Sequence, residues 1–182
     1  MSTILILYTS IEGQTARIAA HMAQTLSQLG HGVELLRAED RHLALQLSRF
    51  DGVIVGASIH YGHHPAFFRA LLRRHRTELM NLPSAFFSVS LSGGGPGARP
   101  IAAQRFLDTF QREVGWHAQQ TASIGGALQY TKYAAWKRVV MRMIVGYAGG
   151  DTDTTRDYEY TDWTAVNEFA LAFAARLQPA TR

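Results

Sequence analysis

The chain has 182 residues, 47% hydrophobic and 18% charged, a balance that suits a globular protein with a full core and excludes an intrinsically disordered one. It contains no cysteine, which excludes disulfides, thiolate metal sites, iron–sulfur clusters and a cysteine nucleophile. The formal net charge of +4 is compatible with nucleic acid, an anionic lipid surface or an acidic substrate as partner.

In chain order, the apolar run Thr3–Tyr8 predicts a buried strand, and the turn Thr9-Ser10-Ile11-Glu12-Gly13-Gln14-Thr15 leads from it into a helix over 14–29. Ile18, Met22, Leu26 and Leu29 recur on one face of that helix. Gly30 and Gly32 stop it, and Val33–Leu36 reads as a second strand. Residues 38–50 are polar with scattered leucines, room for a short helical turn. Asp51–Ala57 reads as a third strand, apolar on consecutive residues as a strand covered on both faces should be.

After it comes the loop Ser58–His64, and Pro65 opens a helix whose apolar stripe is Phe67, Phe68, Leu71, Leu72 and Leu79. Pro83–Leu91 is a fourth strand, followed by the glycine-rich loop 92–97. A helix over 101–114 turns Phe106, Leu107 and Phe110 inward, and Ala122–Leu128 reads as a fifth strand. The last helix starts near Thr161-Asp162, good capping residues, and runs through Val166, Phe169, Ala170 and Phe173 to about Leu177.

Five strands alternating with helices imply an α/β fold, a parallel sheet covered on both faces and joined by right-handed crossovers. One domain over 1–182 is expected, with an insertion at 129–160 before the last helix. In such sheets ligands bind at the carboxyl ends of the strands, and the loops 9–15, 58–64 and 90–97 all follow strands at that edge. The turn 9–15 gathers hydroxyls and free amides at a helix N-terminus. It is therefore either an ordinary helix cap or a phosphate cradle. It matches neither the Walker loop nor the dinucleotide fingerprint.

These residues resemble a flavodoxin-type domain. The resemblance implies strand order 2-1-3-4-5 and FMN as cofactor, its phosphate held by Thr9, Ser10, Ile11, Glu12, Gly13, Gln14 and Thr15. The segments Ala57, Ser58, Ile59, His60, Tyr61, Gly62 and Ser90, Leu91, Ser92, Gly93, Gly94 would flank the flavin ring. Loop 90–97 carries no aromatic residue, which leaves Tyr61 as the expected stacking side chain.

A narrower resemblance runs through Gly56–His63, Pro83–Phe86, Gly126–Leu128, Gly149–Thr154 and Tyr160–Trp163. These blocks look like the menaquinone-dependent protoporphyrinogen oxidases of bacteria. That resemblance implies oxidation of protoporphyrinogen IX to protoporphyrin IX in haem biosynthesis, with electrons passing through FMN to menaquinone or another quinone. Two alternatives share the fold: an NAD(P)H:quinone reductase and a flavodoxin-type electron carrier. The carrier fits poorly with a basic chain.

The insertion is the other distinctive segment. Between Tyr130 and Gly150 there are Lys132, Lys137, Arg138 and Arg142 and no acidic residue. Trp136, Val139, Val140, Met143, Ile144 and Tyr147 fall on one helical face. The expectation is an amphipathic helix near 130–150 that either packs on the domain with a solvated basic side or meets the porphyrinogen or the cytoplasmic membrane surface, with Lys132, Trp136, Lys137, Arg138 and Arg142 as contacts. No signal peptide or spanning segment is expected, so the protein would be cytoplasmic and peripheral on the inner face of the cell membrane. His60, His63 and His64 could relay protons near neutral pH, but no side-chain constellation demands a catalytic assignment. No metal and no nucleic acid are expected.

Overall fold

Strands β1 (Thr3–Thr9), β2 (Gly32–Arg37), β3 (Gly52–Ser58), β4 (Ser84–Ser90) and β5 (Gln120–Gly125) form one parallel sheet in the order β2-β1-β3-β4-β5. The structure is a computed structural model, and it describes residues 1–39 and 45–177. Side chains alternate across each strand, so neighbouring residues serve opposite cores. Ile4, Ile6, Ile54 and Phe87 face helices α1 (Gln14–Gln28) and α6 (Trp163–Arg176). Leu5, Leu7, Val53, Val55 and Phe86 face α2 (Ala66–Arg74), α3 (Arg76–Met80) and α4 (Pro100–Val114). Both cores are built from fully buried branched and aromatic side chains, which is why the central strands read as continuous apolar runs.

The register brings the functional loops together. Thr9 pairs with Ala57, Ser58 with Val89, and Ser90 with Gly125, so β1, β3, β4 and β5 end at nearly the same level. The chain reverses its winding between β1 and β3, and that switch point is where the strand-end loops diverge and leave a crevice.

Several sequence expectations are adjusted. Leu29 lies beyond the end of α1 and is half exposed. The helix after Pro65 is two helices, broken at His75, and Phe67 is exposed rather than inward. The fifth apolar segment is divided. β5 ends at Gly125, and β6 (Ala127–Leu128) leaves the main sheet to pair antiparallel with β7 (Tyr158–Glu159). A Cβ on Gly125 would sit 2.2 Å from the Tyr160 carbonyl oxygen, so the strand can pass this crossing only as glycine. Of the region 38–50, Leu47–Arg49 form one 3-10 turn, and residues 40–44 lie outside the described residues.

The insertion forms its own small core. A 3-10 turn (Tyr130–Lys132) leads into α5 (Ala135–Tyr147), and Leu128, Tyr130, Tyr133 and Val145 are buried together. The Tyr130 hydroxyl donates to the Asp151 carbonyl at 2.9 Å, and the Tyr160 hydroxyl donates to the Asp151 carboxylate at 2.6 Å. The segment is thereby anchored to the lead-in of α6. Among the described residues, no helix is long and apolar enough to cross a membrane.

Candidate functional site

A cleft of about 290 Å³ opens at the carboxyl edge of the sheet, lined by the ends of β1, β3 and β4 and closed on one side by the insertion. Of the sequence-expected residues, Ser10, Ile11, Glu12, Gln14, Thr15, Ser58, Ile59, His60, Tyr61, Gly62, Ser90, Leu91 and Ser92 line it. Thr9, Gly13, Ala57, Gly93 and Gly94 do not. Thr9 is fully buried and its hydroxyl donates to Glu39 at 2.7 Å, while Ala57 belongs to the sheet interior. Gly93 and Gly94 pack against Ile124, Gly125 and Tyr160, where a Cβ on either would collide with backbone.

The turn after β1 is braced from behind. Glu39 accepts from the Thr9 hydroxyl and from the Ser10 amide at 2.9 Å, and Arg37 donates to the Ser10 carbonyl at 2.8 Å. Burial pushes the Glu39 carboxyl up, but the Thr9 and Ser10 hydrogen bonds outweigh it and hold the group below its ordinary value. Gly13 adopts φ 93°, a left-handed conformation that lets the chain enter α1 at the cap position. The Ser10 hydroxyl accepts from the Gly13 and Ala16 amides at 3.1 and 3.4 Å. Gln14 donates to Thr161 at 2.8 Å, and Thr161 donates to the Gly125 carbonyl at 2.7 Å, so the turn is also tied to the start of α6.

The second loop is a tight hairpin. His60 and His63 exchange backbone hydrogen bonds of 2.9 and 3.1 Å around Tyr61 and Gly62. Their φ values are 48° and 81°, the primed-turn geometry that matches strand twist. For tyrosine this conformation costs roughly 1–2 kcal/mol. It projects the ring outward, 71% exposed, at the mouth of the cleft. His64 is elsewhere: its ring is buried between Phe86 and Phe110 and bonds to the Ser88 hydroxyl at 2.9 Å. Burial, with Arg69 and His63 adding, pulls its pKa down to about 3, so it is a neutral core residue and not a proton relay.

Three residues that sequence reasoning assigned otherwise, or passed over, complete the cleft. Phe106, expected inward, sits half-buried on the cleft wall, because α4 turns its stripe toward Leu107 and Phe110 instead. Tyr133 and Met141 come from the insertion. The aromatic complement of the cleft is therefore Tyr61, Phe106 and Tyr133. Helical spacing groups Phe106 with Leu107 and Phe110, which is why the sequence placed it inward with them. Nothing local in the sequence marks Tyr133, whose position depends on where the insertion folds back.

The insertion meets the first turn directly. Lys137 Nζ lies 2.6 Å from the Glu12 carboxylate, which also accepts from the Tyr133 hydroxyl at 2.8 Å. The same ammonium lies 4.2 Å from the centre of the Tyr133 ring. Burial first, then the bond to Glu12, push the Tyr133 phenol up, so it is a neutral donor. Arg138 donates to the carbonyls of Tyr130 and Tyr133 at 3.0 and 3.2 Å, which makes it a brace for the 3-10 turn rather than a ligand contact. Trp136, Lys132 and Arg142 face away from the cleft and are exposed.

The donor set fits a phosphorylated, planar, partly polar group. Thr15, Ser58 and Ser90 each carry a buried hydroxyl with no hydrogen-bond partner among the described residues, and all three line the cleft. Leaving such groups unpaired costs about 1–3 kcal/mol each, so three of them in one cavity suit a polar ligand, whereas Trp116, Gln120 and Ser123 carry the other unpartnered buried atoms outside it. Ser10, Glu12, Gln14, His60 and Ser92 add further polar groups, the rest of the lining is largely apolar, and Lys137 is the one permanent cation among its described residues.

Comparison with known proteins agrees with this geometry. The model of the flavodoxin domain family matches residues 5–155. The chain is 35% identical over 170 residues to the protoporphyrinogen IX dehydrogenase (quinone) of Escherichia coli K12, covering 93% of each chain. It is 34% identical over 172 residues to the protein of the same name from Leishmania major, covering 94% of this chain and 74% of that one. Among solved structures, oxidised flavodoxin 2 from Bacillus cereus superposes with a TM-score of 0.58 at 22% identity, over 96% of this chain and 99% of the other. That likeness concerns the fold alone.

Proposed function

The chain belongs to the flavodoxin-domain family, alongside the protoporphyrinogen IX dehydrogenase (quinone) relatives, and from this we propose that it uses FMN to oxidise protoporphyrinogen IX to protoporphyrin IX with a quinone as acceptor. The structural observation that carries the reading is the wall formed by the insertion. Tyr133, Lys137, Met141 and Ile144 face the same cleft as the three strand-end loops, so the segment a minimal electron carrier would not need stands beside the cofactor position.

FMN, when bound, supplies two-electron exchange between a reduced ring substrate and a quinone. The turn Ser10–Thr15 would hold its phosphate with backbone amides and hydroxyls, and Ser58 and Ser90 would meet polar atoms of its ring system. Tyr61 supplies a stacking face at the cleft mouth. Lys137 balances the charge of Glu12 and of an incoming phosphate. Met141, Ile144 and Phe106 keep the space dry and apolar, which suits a tetrapyrrole. No side chain here is required to abstract a proton, and none is assigned that role.

The protein would work at the inner surface of the cell membrane, where a menaquinone-type acceptor is dissolved. The support is the outer face of α5. Trp136, Met143 and Tyr147 are 67%, 65% and 90% exposed, and Val139 and Ile144 lie beside them. Lys132 and Arg142 are the exposed cations nearest in sequence. Lys137 and Arg138, expected as anchors, are engaged elsewhere, so the electrostatic share falls from four charges to two, about 1 kcal/mol each on an anionic leaflet.

The test is to record the visible spectrum of the purified protein and then offer protoporphyrinogen or NADPH with a menaquinone analogue. Bound flavin and porphyrin formation with the first donor support the reading. Turnover with NADPH alone would place the protein with the quinone reductases. Co-sedimentation with anionic vesicles, reduced by a Trp136→Asp, Met143→Asp pair, tests the membrane part. Equal sedimentation of parent and variant refutes it.

A further inference from the structure

A second cavity of about 230 Å³ lies next to the first and shares Leu91, Ser92 and Ile144 with it. Its floor is glycine, Gly94, Gly97 and Gly150, and its walls include Leu128, Val145 and Tyr147. Among the described residues, Arg99 is its one charged lining residue and no acidic side chain lines it. None of the residues expected to flank a flavin fills it, apart from the shared wall and Gly94.

We propose that this groove seats the hydrocarbon side chain of a lipid-soluble quinone, whose headgroup crosses Leu91, Ser92 and Ile144 into the cleft. The proposal rests on the quinone reading above and adds the path by which that acceptor arrives. Three observations favour this occupant. The groove is lined almost entirely by apolar and small residues, and a branched hydrocarbon chain needs contact without hydrogen bonds. It adjoins the cleft across Leu91, Ser92 and Ile144, which line both cavities, so one molecule lying over these residues reaches both. It is bordered by Ile144 and Tyr147, which belong to the exposed apolar face of α5, so a chain leaving the groove passes onto that apolar face. A tetrapyrrole with two carboxylates would meet one cation only here, Arg99. In the redox step each quinone takes up two electrons and two protons released from the porphyrinogen and leaves as the quinol.

Gly97→Leu tests the assignment. Gly97 has no left-handed φ, and a Cβ there meets only ordinary contacts at 3.5 Å, so the new side chain extends into the groove without disturbing the backbone. Fluorescence titration without porphyrinogen compares a prenylated naphthoquinone with the same ring lacking the chain. The variant should bind the prenylated quinone about tenfold more weakly, the loss expected from displacing roughly two buried methylene groups. It should bind the short quinone as the parent does and keep the parent's flavin spectrum. In turnover, KM should rise for the prenylated acceptor only. Unchanged affinity for both quinones overturns the proposal, and so does an equal loss for both, which would place the headgroup in the groove. Binding is read without porphyrinogen, so a parent that binds the prenylated quinone and oxidises no porphyrinogen refutes the proposed function and leaves the groove assignment standing.

Discussion

Lys137→Met isolates the charge balance at the cofactor turn. In the parent, the Lys137 ammonium sits 2.6 Å from Glu12, with side-chain exposures of 23% and 29%. Removing it leaves the Glu12 carboxylate facing an incoming phosphate dianion, with no other permanent cation among the described residues of the cleft lining. At a separation of roughly 6 Å and an effective dielectric of about 40, each unit of lost compensation costs about 1.4 kcal/mol, or tenfold in affinity. The phosphate carries nearly two charges, but both side chains are partly solvated, so the discounted expectation is a tenfold to thirtyfold rise in the FMN dissociation constant. Glu12→Gln should act in the opposite direction. It keeps an acceptor for Tyr133, frees Lys137 for the phosphate, and tightens FMN by a few-fold. The double variant should return near the parent value. The assay is quenching of flavin fluorescence on titration into apoprotein at about 0.02 M and about 0.2 M salt, with the differences shrinking at the higher concentration. If Glu12→Gln weakens FMN as much as Lys137→Met does, the pair is a structural clamp and the electrostatic reasoning fails.

Three further outcomes follow from the packing. Thr15→Val replaces an unpartnered buried hydroxyl with a methyl, so the apoprotein should gain about 1 kcal/mol in urea denaturation while FMN binds about tenfold more weakly. Stability that does not rise in the apoprotein would mean the hydroxyl is already satisfied. The folded-state pKa of His64, about 3, lies well below its ordinary 6.5, so the unfolded chain binds more protons below that ordinary value. Its contribution is complete above about pH 6.5 and is lost as pH falls toward 3, at about 1.4 kcal/mol per unit, or about 2 kcal/mol by pH 5. Denaturation midpoints of the parent and of His64→Gln, measured between about pH 5 and pH 7.5, should show a shallower slope for the variant. Equal slopes would place the titration elsewhere. Gly125→Ala drives a methyl into the Tyr160 carbonyl and should cost about 2–3 kcal/mol, detectable as a lower melting temperature, with α6 the first helix to lose protection in hydrogen exchange.

The alternation of apolar strand runs with helical stripes was enough to specify five parallel strands, their order by resemblance, and the edge at which a ligand belongs. The reason is physical. Leu5 and Leu7 face one core and Ile4 and Ile6 the other, so a strand covered on both sides must be apolar at every position, whatever surrounds it. The turn after β1 was legible for the same reason: strand, hydroxyls, glycine and helix start are consecutive in the chain. Read alone, it remained open between a cap and a cradle. The orphaned hydroxyls of Thr15, Ser58 and Ser90, far apart in sequence and gathered by the register of three strands, favour the cradle.

The insertion was only half legible. Its helical period identified α5, its apolar stripe and its basic character, because those depend on spacing within thirteen residues. Which face it would bury was not determined, since an amphipathic helix can turn its stripe inward or outward. Here the stripe faces out, and the helix docks through Val145, Met141 and the tyrosines before it. The partners of its cations were likewise invisible. Lys137 lies 125 positions from Glu12, and Arg138 spends its guanidinium on carbonyls eight and five residues behind it. Local sequence determines what forms when the interacting atoms are neighbours along the chain. The tertiary fold alone decides which of four similar cations enters the cleft, which braces a turn, and which two remain free for the surface.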